Sequence, residues 1–386
     1  MELIPADRAE NPELFRMNKE RLAQVDRNQQ VCVALLEELG YDCLLLSLPE
    51  NFSWFTCGGD SRLQSQVDQS QVAIFVTRKG RVILTHDAIS PQLFDREVAA
   101  LGFQLKERNW REPVEDLYDE ITRGRSVISD SGLGRTRKMG ERISQLRAAI
   151  SPLAEKNWQS LGALATYAVE ATCRKMEPNA CEAEIAGEVA HRSMKRSIVP
   201  VQIQVFADER LRRYRHWSYG RGFVKKRCIV NFVARKKGIY FAVSRTVSFV
   251  PLSSQEQEEY QQAGEILAEI VPWVKNGVSH QQVWQELKSI CKEKKISNQW
   301  RAAEFAWQLG YRHPEQVFKP RDDQFFSSQT PWYWQSVVGS TMIGHSFIVG
   351  KNMMEGCGVS ERWPTREFKT PDGASLQLPE VMERSC

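Results

Sequence analysis

The stretch NFVARKKGIYFAVSRTV, Asn231–Val247, decides the fold: it reads as a strand, a tight turn and a second strand. The turn is the cluster Arg235-Lys236-Lys237-Gly238, where glycine takes a positive φ at little cost and the charges prefer solvent. With its centre between Lys236 and Lys237, Asn231 and Ala242 face each other across the ladder, Cβ atoms about 4.5–5.5 Å apart. Two aspartates there would bridge metal ions, whereas an amide and a methyl group do not. A bulge or a one-residue slip would break the pairing.

The whole chain sets the outer limits. Its 386 residues exceed the size at which one core keeps growing, so two domains are expected, and a 42% hydrophobic content supports folded ones. Lys and Arg total 52 against 48 Asp and Glu, a net charge of +4. That balance is too small to imply a nucleic-acid or membrane partner, and neither is expected. No run approaches the length of a membrane span, and the acidic N-terminus MELIPADRAENPELF is unlike a signal peptide, so a cytoplasmic location is expected. The nine cysteines include no C-x-x-C pair and read as reduced thiols.

Around the hairpin the chain divides near residue 155. The first part has a helical stretch ending at Gly40, a strand in YDCLLLSL, a hairpin of QVAIFVT with RVILTH, and a closing strand in SVISDSG. This suggests a domain 1–155 of α/β type. The second part, 156–386, opens with a long helix interrupted at Pro178-Asn179, then a helix over 180–196 with Asn179 as its N-cap. After the hairpin come two helices between Ser254 and Glu293 and a strand-rich, aromatic final third. Helices followed by strands in this order indicate α+β.

Three segments carry a family resemblance: LLLSLPENFSWFTCGG (44–59), KMEPNACEAEIAGEVAHRSMKR (175–196) and CIVNFVARKKGIYFAVSRTVSF (228–249). Together, and in this order, they resemble aminopeptidase P, prolidase and creatinase. The resemblance implies a C-terminal pita-bread domain preceded by a smaller creatinase-like α/β domain, and a homodimer. It also implies a dinuclear metal centre held by two Asp, one His and two Glu. Carried over residue by residue, these fall on Asn231, Ala242, Trp307 in AWQLGYRHPE, Gly350 in GHSFIVGKN and Glu361 in GCGVSERW. One acidic ligand of five cannot hold two divalent cations, so no metal or other cofactor is expected.

Creatinase resembles this chain in carrying Asn and Ala at the two Asp positions, and it works without metal. That likeness implies a metal-independent hydrolase acting on a C–N bond of a small amino-acid-like or amide substrate. His216 in RYRHWSYG would be the proton shuttle and Glu361 would orient the substrate. Asn231, Trp307, His313 and Arg245 complete the substrate side, although in this family Arg245 more often anchors the hairpin. Ser244 stands where creatinase has a Glu that holds guanidinium, so creatine is not the expected substrate. The alternative is a non-catalytic pita-bread module that binds a peptide or protein, and the third reading is a retained Xaa-Pro peptidase.

The aromatic residues Trp300, Trp307, Trp332, Tyr333 and Trp334 gather where a metal pocket would stand. They suit either a planar ligand or an aromatic core filling a vacated pocket. His345 in GHSF reads as structurally buried. The basic run DERLRRYRHW could steer a carboxylate or phosphate toward the same opening, with a solvated loop as the simpler account.

Overall fold

The computed structural model of the chain describes residues 12–62, 71–296, 304–321, 323–350, 354–358 and 360–384. Trp300 lies outside them. The chain divides into two compact units, Met1–Glu155 and Lys156–Cys386.

In the first unit the long helix Pro12–Leu39 ends at Gly40, whose φ of 70° is the left-handed stop expected of that residue. A mixed six-stranded sheet follows, built from β1 (Cys43–Leu46), β2 (Ala73–Thr77), β3 (Arg81–His86), β4 (Gln104–Arg108), β5 (Val127–Ser129) and β6 (Arg137–Lys138) in the order β4-β3-β2-β1-β5-β6. Cys43, Leu45, Phe75 and Leu84 pack against Leu117 and Tyr118 of the helix Val114–Thr122. Asp130 is 1% exposed and accepts hydrogen bonds from Ser47 N, Leu48 N and Asn51 Nδ2. This buried carboxylate therefore caps the helix Pro49–Phe55 from outside, where the helix supplies no cap of its own.

The second unit opens with the helices Pro152–Lys175 and Glu182–Met194. The second is capped by Cys181, with Glu184 reaching back to the Cys181 N–H, and not by Asn179 as the sequence suggests. Asn179 takes a φ of 67° and donates its N–H to the Val224 carbonyl, which sets it in the turn before the cap. The helices Ser254–Ile270 and His280–Glu293 each begin with a reciprocal box, Ser253 with Glu256 and Ser279 with Gln282.

Two sheets complete this unit. The first joins β7 (Val199–Ala207), β8 (Arg227–Lys236), β9 (Ile239–Ser248) and β17 (Met382–Glu383) in the order β17-β9-β8-β7. The second joins β10 (Ala306–Gln308), β11 (Gln316–Val317), β12 (Pro331–Val338), β13 (Thr341–Val349) and β14 (Met354–Cys357) in the order β11-β10-β12-β13-β14. A separate ribbon pairs β15 (Thr365–Lys369) with β16 (Ser375–Pro379). β13 lies against β9, and Ser346 Oγ donates to the Ala242 carbonyl at 2.6 Å.

The expected β8–β9 hairpin is present, but its register differs. Lys237 and Gly238 both have positive φ, 52° and 71°, so the turn is the two-residue type that follows strand twist. The centre therefore falls between Lys237 and Gly238, one residue later than expected. Asn231 is paired with Ser244, and Ala242 with Val233. Because the partner moves by two residues, Asn231 and Ala242 stay on one face as diagonal neighbours.

Arg245 holds the hairpin to the helix Pro152–Lys175. It is 1% exposed, and its Nε and Nη2 donate to Glu170 Oε1 at 3.0 and 2.8 Å. Two further donors reach the Ser244 and Gly358 carbonyls, so four of the five guanidinium N–H groups are bonded in the buried pair.

His280 and His345 are buried in this unit, and at His280 the nearby Asp323 only partly offsets the effect of burial. The His280 ring sits 4.4–5.5 Å from the rings of Phe326, Phe318 and Trp332, and burial lowers its pKa to about 4. Burial likewise lowers His345 to about 3. An unfolded histidine takes up its proton below about pH 6.5. The folded chain refuses it until near pH 4, so stability is complete above 6.5 and declines between the two, by on the order of 1–2 kcal/mol per histidine at pH 5. The melting temperature is expected to fall between pH 7 and 5. His280→Phe should narrow that difference, whatever its absolute stability, and an unchanged difference would show that His280 does not report its burial.

Candidate functional site

The face shared by Asn231 and Ala242 leads into a buried cluster of neutral side chains. β7 places Gln204 directly opposite Asn231, and Asn231 Nδ2 donates to Gln204 Oε1 at 2.9 Å. The other amide atom, Oδ1, accepts from the Tyr333 hydroxyl at 3.2 Å. Asn231 is 3% exposed and Tyr333 is 0% exposed, and burial raises the Tyr333 pKa. Gly344 on β13 leaves the space that the ring needs, because a Cβ there would overlap the Tyr333 hydroxyl and press on Ser244.

The cluster continues through rings. Trp307, on β10, packs 4.8 Å from Tyr333 between centroids and 6.1 Å from His313. Its indole Nε1 is buried without a hydrogen-bond partner among the described residues. His313 stacks on Tyr240 at 6.0 Å and lies 3.3 Å from Gln202 Oε1. Burial lowers its pKa to about 4, so it is neutral at pH 7. Asn231, Trp307 and His313, three of the residues singled out from sequence, thus belong to one contiguous assembly.

The others stand apart from it. Arg245 is committed to Glu170 and backbone carbonyls, which makes it the hairpin's anchor. Glu361 is exposed in a loop and has no ion-pair partner among the described residues; Arg366 pairs with Glu380 instead. His216 is exposed on the loop after β7. Gly350 follows the end of β13, and the loop lengths around it hide its register in the sequence. His345 is 2% exposed, its ring 4.8 Å from that of Phe347.

Sequence reasoning treated Trp332, Tyr333 and Trp334 as one group, and the structure divides them. Along a strand, successive side chains point to opposite faces. Trp332 and Trp334 enter the core made with the helices Ser254–Ile270 and His280–Glu293, and only Tyr333 turns toward Asn231. Strand alternation was the signal that could have separated them. Gln204 and Gly344 carried no local signal, since their roles arise only from cross-strand and cross-sheet neighbours.

These residues do not fit a dinuclear metal centre. Hard divalent cations need carboxylate oxygens, and the donors here are amides, hydroxyls and a phenol whose ionisation burial opposes. Among the described residues no group of three or more His, Cys, Asp or Glu could hold a metal ion. No described helix is long and apolar enough to cross a membrane.

No family model and no curated protein matches the sequence. Solved structures do match the fold. The X-Pro aminopeptidase from Thermotoga maritima superposes with a TM-score of 0.70 at 15% identity, covering 84% of this chain and 98% of its own. The prolidase from Pyrococcus horikoshii gives 0.71 at 13% identity, covering 89% and 99%. A dipeptidase from Mycobacterium ulcerans gives 0.72 at 14%, covering 94% and 98%. The chain therefore has the α+β pita-bread fold of these peptidases along most of its length.

The close fit of Tyr333 over Gly344 is testable. Gly344→Ala is expected to destabilise the chain by about 1–3 kcal/mol through overpacking. Tyr333→Val in the same chain should recover part of that loss in denaturant unfolding. Additive losses from the two substitutions would contradict the contact.

Proposed function

We propose that this chain is a non-catalytic pita-bread module that binds a peptide or protein, its former catalytic floor having become core. The Tyr333 hydroxyl on Asn231 carries the reading. A catalytic group must reach its substrate, yet Asn231, Ser244, Tyr333 and Trp307 are all at most 9% exposed. Filling the same face with an aromatic ring avoids the void that small neutral side chains would otherwise leave. A location in the cytoplasm and a homodimeric state belong to the same proposal; sedimentation of the purified chain measures the latter.

The competing reading is the metal-independent hydrolase with His216 as proton shuttle and Glu361 orienting the substrate. It keeps His216 solvent-accessible on the loop after β7, but requires that His216 and Glu361 converge on one bound molecule. A retained Xaa-Pro peptidase needs the carboxylates that Asn231 and Ala242 replace.

The separating experiment incubates the full chain with Xaa-Pro dipeptides, with and without manganese, and with small amides and guanidines. Product formation is followed by chromatography. No turnover above the buffer rate is expected. Turnover abolished by His216→Ala in a folded variant would establish the hydrolase instead, and manganese-dependent cleavage of proline peptides would restore the peptidase.

A further inference from the structure

We infer that residues 208–227 form a docking surface for an acidic polypeptide segment, an inference that rests on the binding-module reading and specifies its partner. β7 and β8 are neighbours in the ladder, with Ala207 opposite Cys228, so a short turn would suffice to join them. The chain instead makes a long excursion that closes at its neck. Asp208 N donates to the Arg227 carbonyl at 2.7 Å, and the Asp208 carboxylate accepts from the N–H groups of Lys226 and Arg227 at 2.7 and 3.0 Å. Long compact loops with joined ends are commonly functional.

The inside of the loop is fixed by one buried carboxylate. Glu182, 0% exposed, accepts from Ala207 N at 3.1 Å, Arg210 Nε at 2.5 Å, Trp217 Nε1 at 3.2 Å and Gly220 N at 2.7 Å. The Arg210 guanidinium lies 4.6 Å over the Trp217 ring, and Tyr214 stacks on the other partner of that pair, Trp217, at 5.1 Å. Arg212 reaches Glu259 at 2.8 Å, and Arg215 reaches the Gly339 carbonyl at 3.3 Å. A carboxylate is removed from water only when its bonds are replaced. Here the replacements come from the end of β7 and from three points along the loop, which order it before any partner arrives and so reduce the entropy lost on binding.

The outside of the same loop is left uncompensated. From Asp208 to Arg227 there are eight Arg and Lys against two acids, Asp208 held at the neck and Glu209 paired with Arg212. Arg210 and Arg212 are spent on internal pairs, whereas Arg213, Arg221, Lys225 and Lys226 are exposed and make no ion pair among the described residues. Tyr219 and Phe223 alternate with them along the loop sequence and are 49% and 58% exposed. Free cations interleaved with exposed rings complement carboxylates interleaved with apolar side chains. The patch is confined to one loop of a chain with a net charge of only +4, which favours a short acidic peptide over a polynucleotide that needs many phosphate contacts.

The test is fluorescence anisotropy with the full chain and three labelled probes: an oligoglutamate peptide carrying two tryptophans, its oligolysine counterpart and a single-stranded RNA of similar length. The acidic peptide should bind and the basic one should not, with affinity falling as salt rises. The variant Arg213→Ala/Arg221→Ala/Lys225→Ala should weaken binding at least about tenfold with an unchanged melting temperature. No binding of the acidic peptide, equal affinity in the variant, or RNA binding as tight as peptide binding would overturn the inference. Turnover of a substrate in the assay above would overturn the binding-module reading on its own. A chain that turns nothing over and ignores the acidic peptide would remove only this surface.

Discussion

The hydrogen bond from the Tyr333 hydroxyl to the Asn231 amide is the constraint around which the second unit is arranged. It joins the two sheets at a face where the described side chains are neutral. With Asn231 satisfied by Gln204 on one side and Tyr333 on the other, the amide can be buried at little cost. The ring demands a glycine at 344, and it sets Trp307 and then His313 beside it. A single neutral contact thus links residues on five strands and His313 in the turn after β10.

Charge inside this unit follows the same economy. Arg245 is buried only with Glu170 and two carbonyls around it, and Glu182 only with four donors. Both ions are committed to partners within the unit and serve as anchors: Arg245 for the hairpin, Glu182 for the loop beside it. Uncompensated charge is found on that loop's outer side, at Arg213, Arg221, Lys225 and Lys226.

Much of the fold was legible in the sequence because it rests on local signals. Gly40 stops a helix, Gly238 turns a hairpin, and Ser253 and Ser279 open helices, each through backbone geometry that a short segment determines. The errors came where geometry depended on one residue more. Lys237 adopts the left-handed conformation with Gly238, which displaced the hairpin centre, and Asn179 does so before Cys181, which displaced the cap. The site was legible in part. Asn231, Trp307 and His313, singled out from sequence, lie on or beside strands and come together, while Glu361 falls in a loop where spacing does not determine position. The roles of Gln204 and Gly344 arise from neighbours distant in sequence and no motif covers them, while Glu182 lies within the segment 175–196 that carries the family resemblance but was not singled out.

The central proposal, that the face shared by Asn231, Ser244 and Tyr333 is closed core and not a metal site, is tested most directly by calorimetric titration of the folded chain with manganese. The account predicts no saturable uptake by the native chain. Tight binding of two ions per chain would contradict it, since no arrangement of Asn231, Ser244 and Tyr333 supplies the carboxylates that such binding requires.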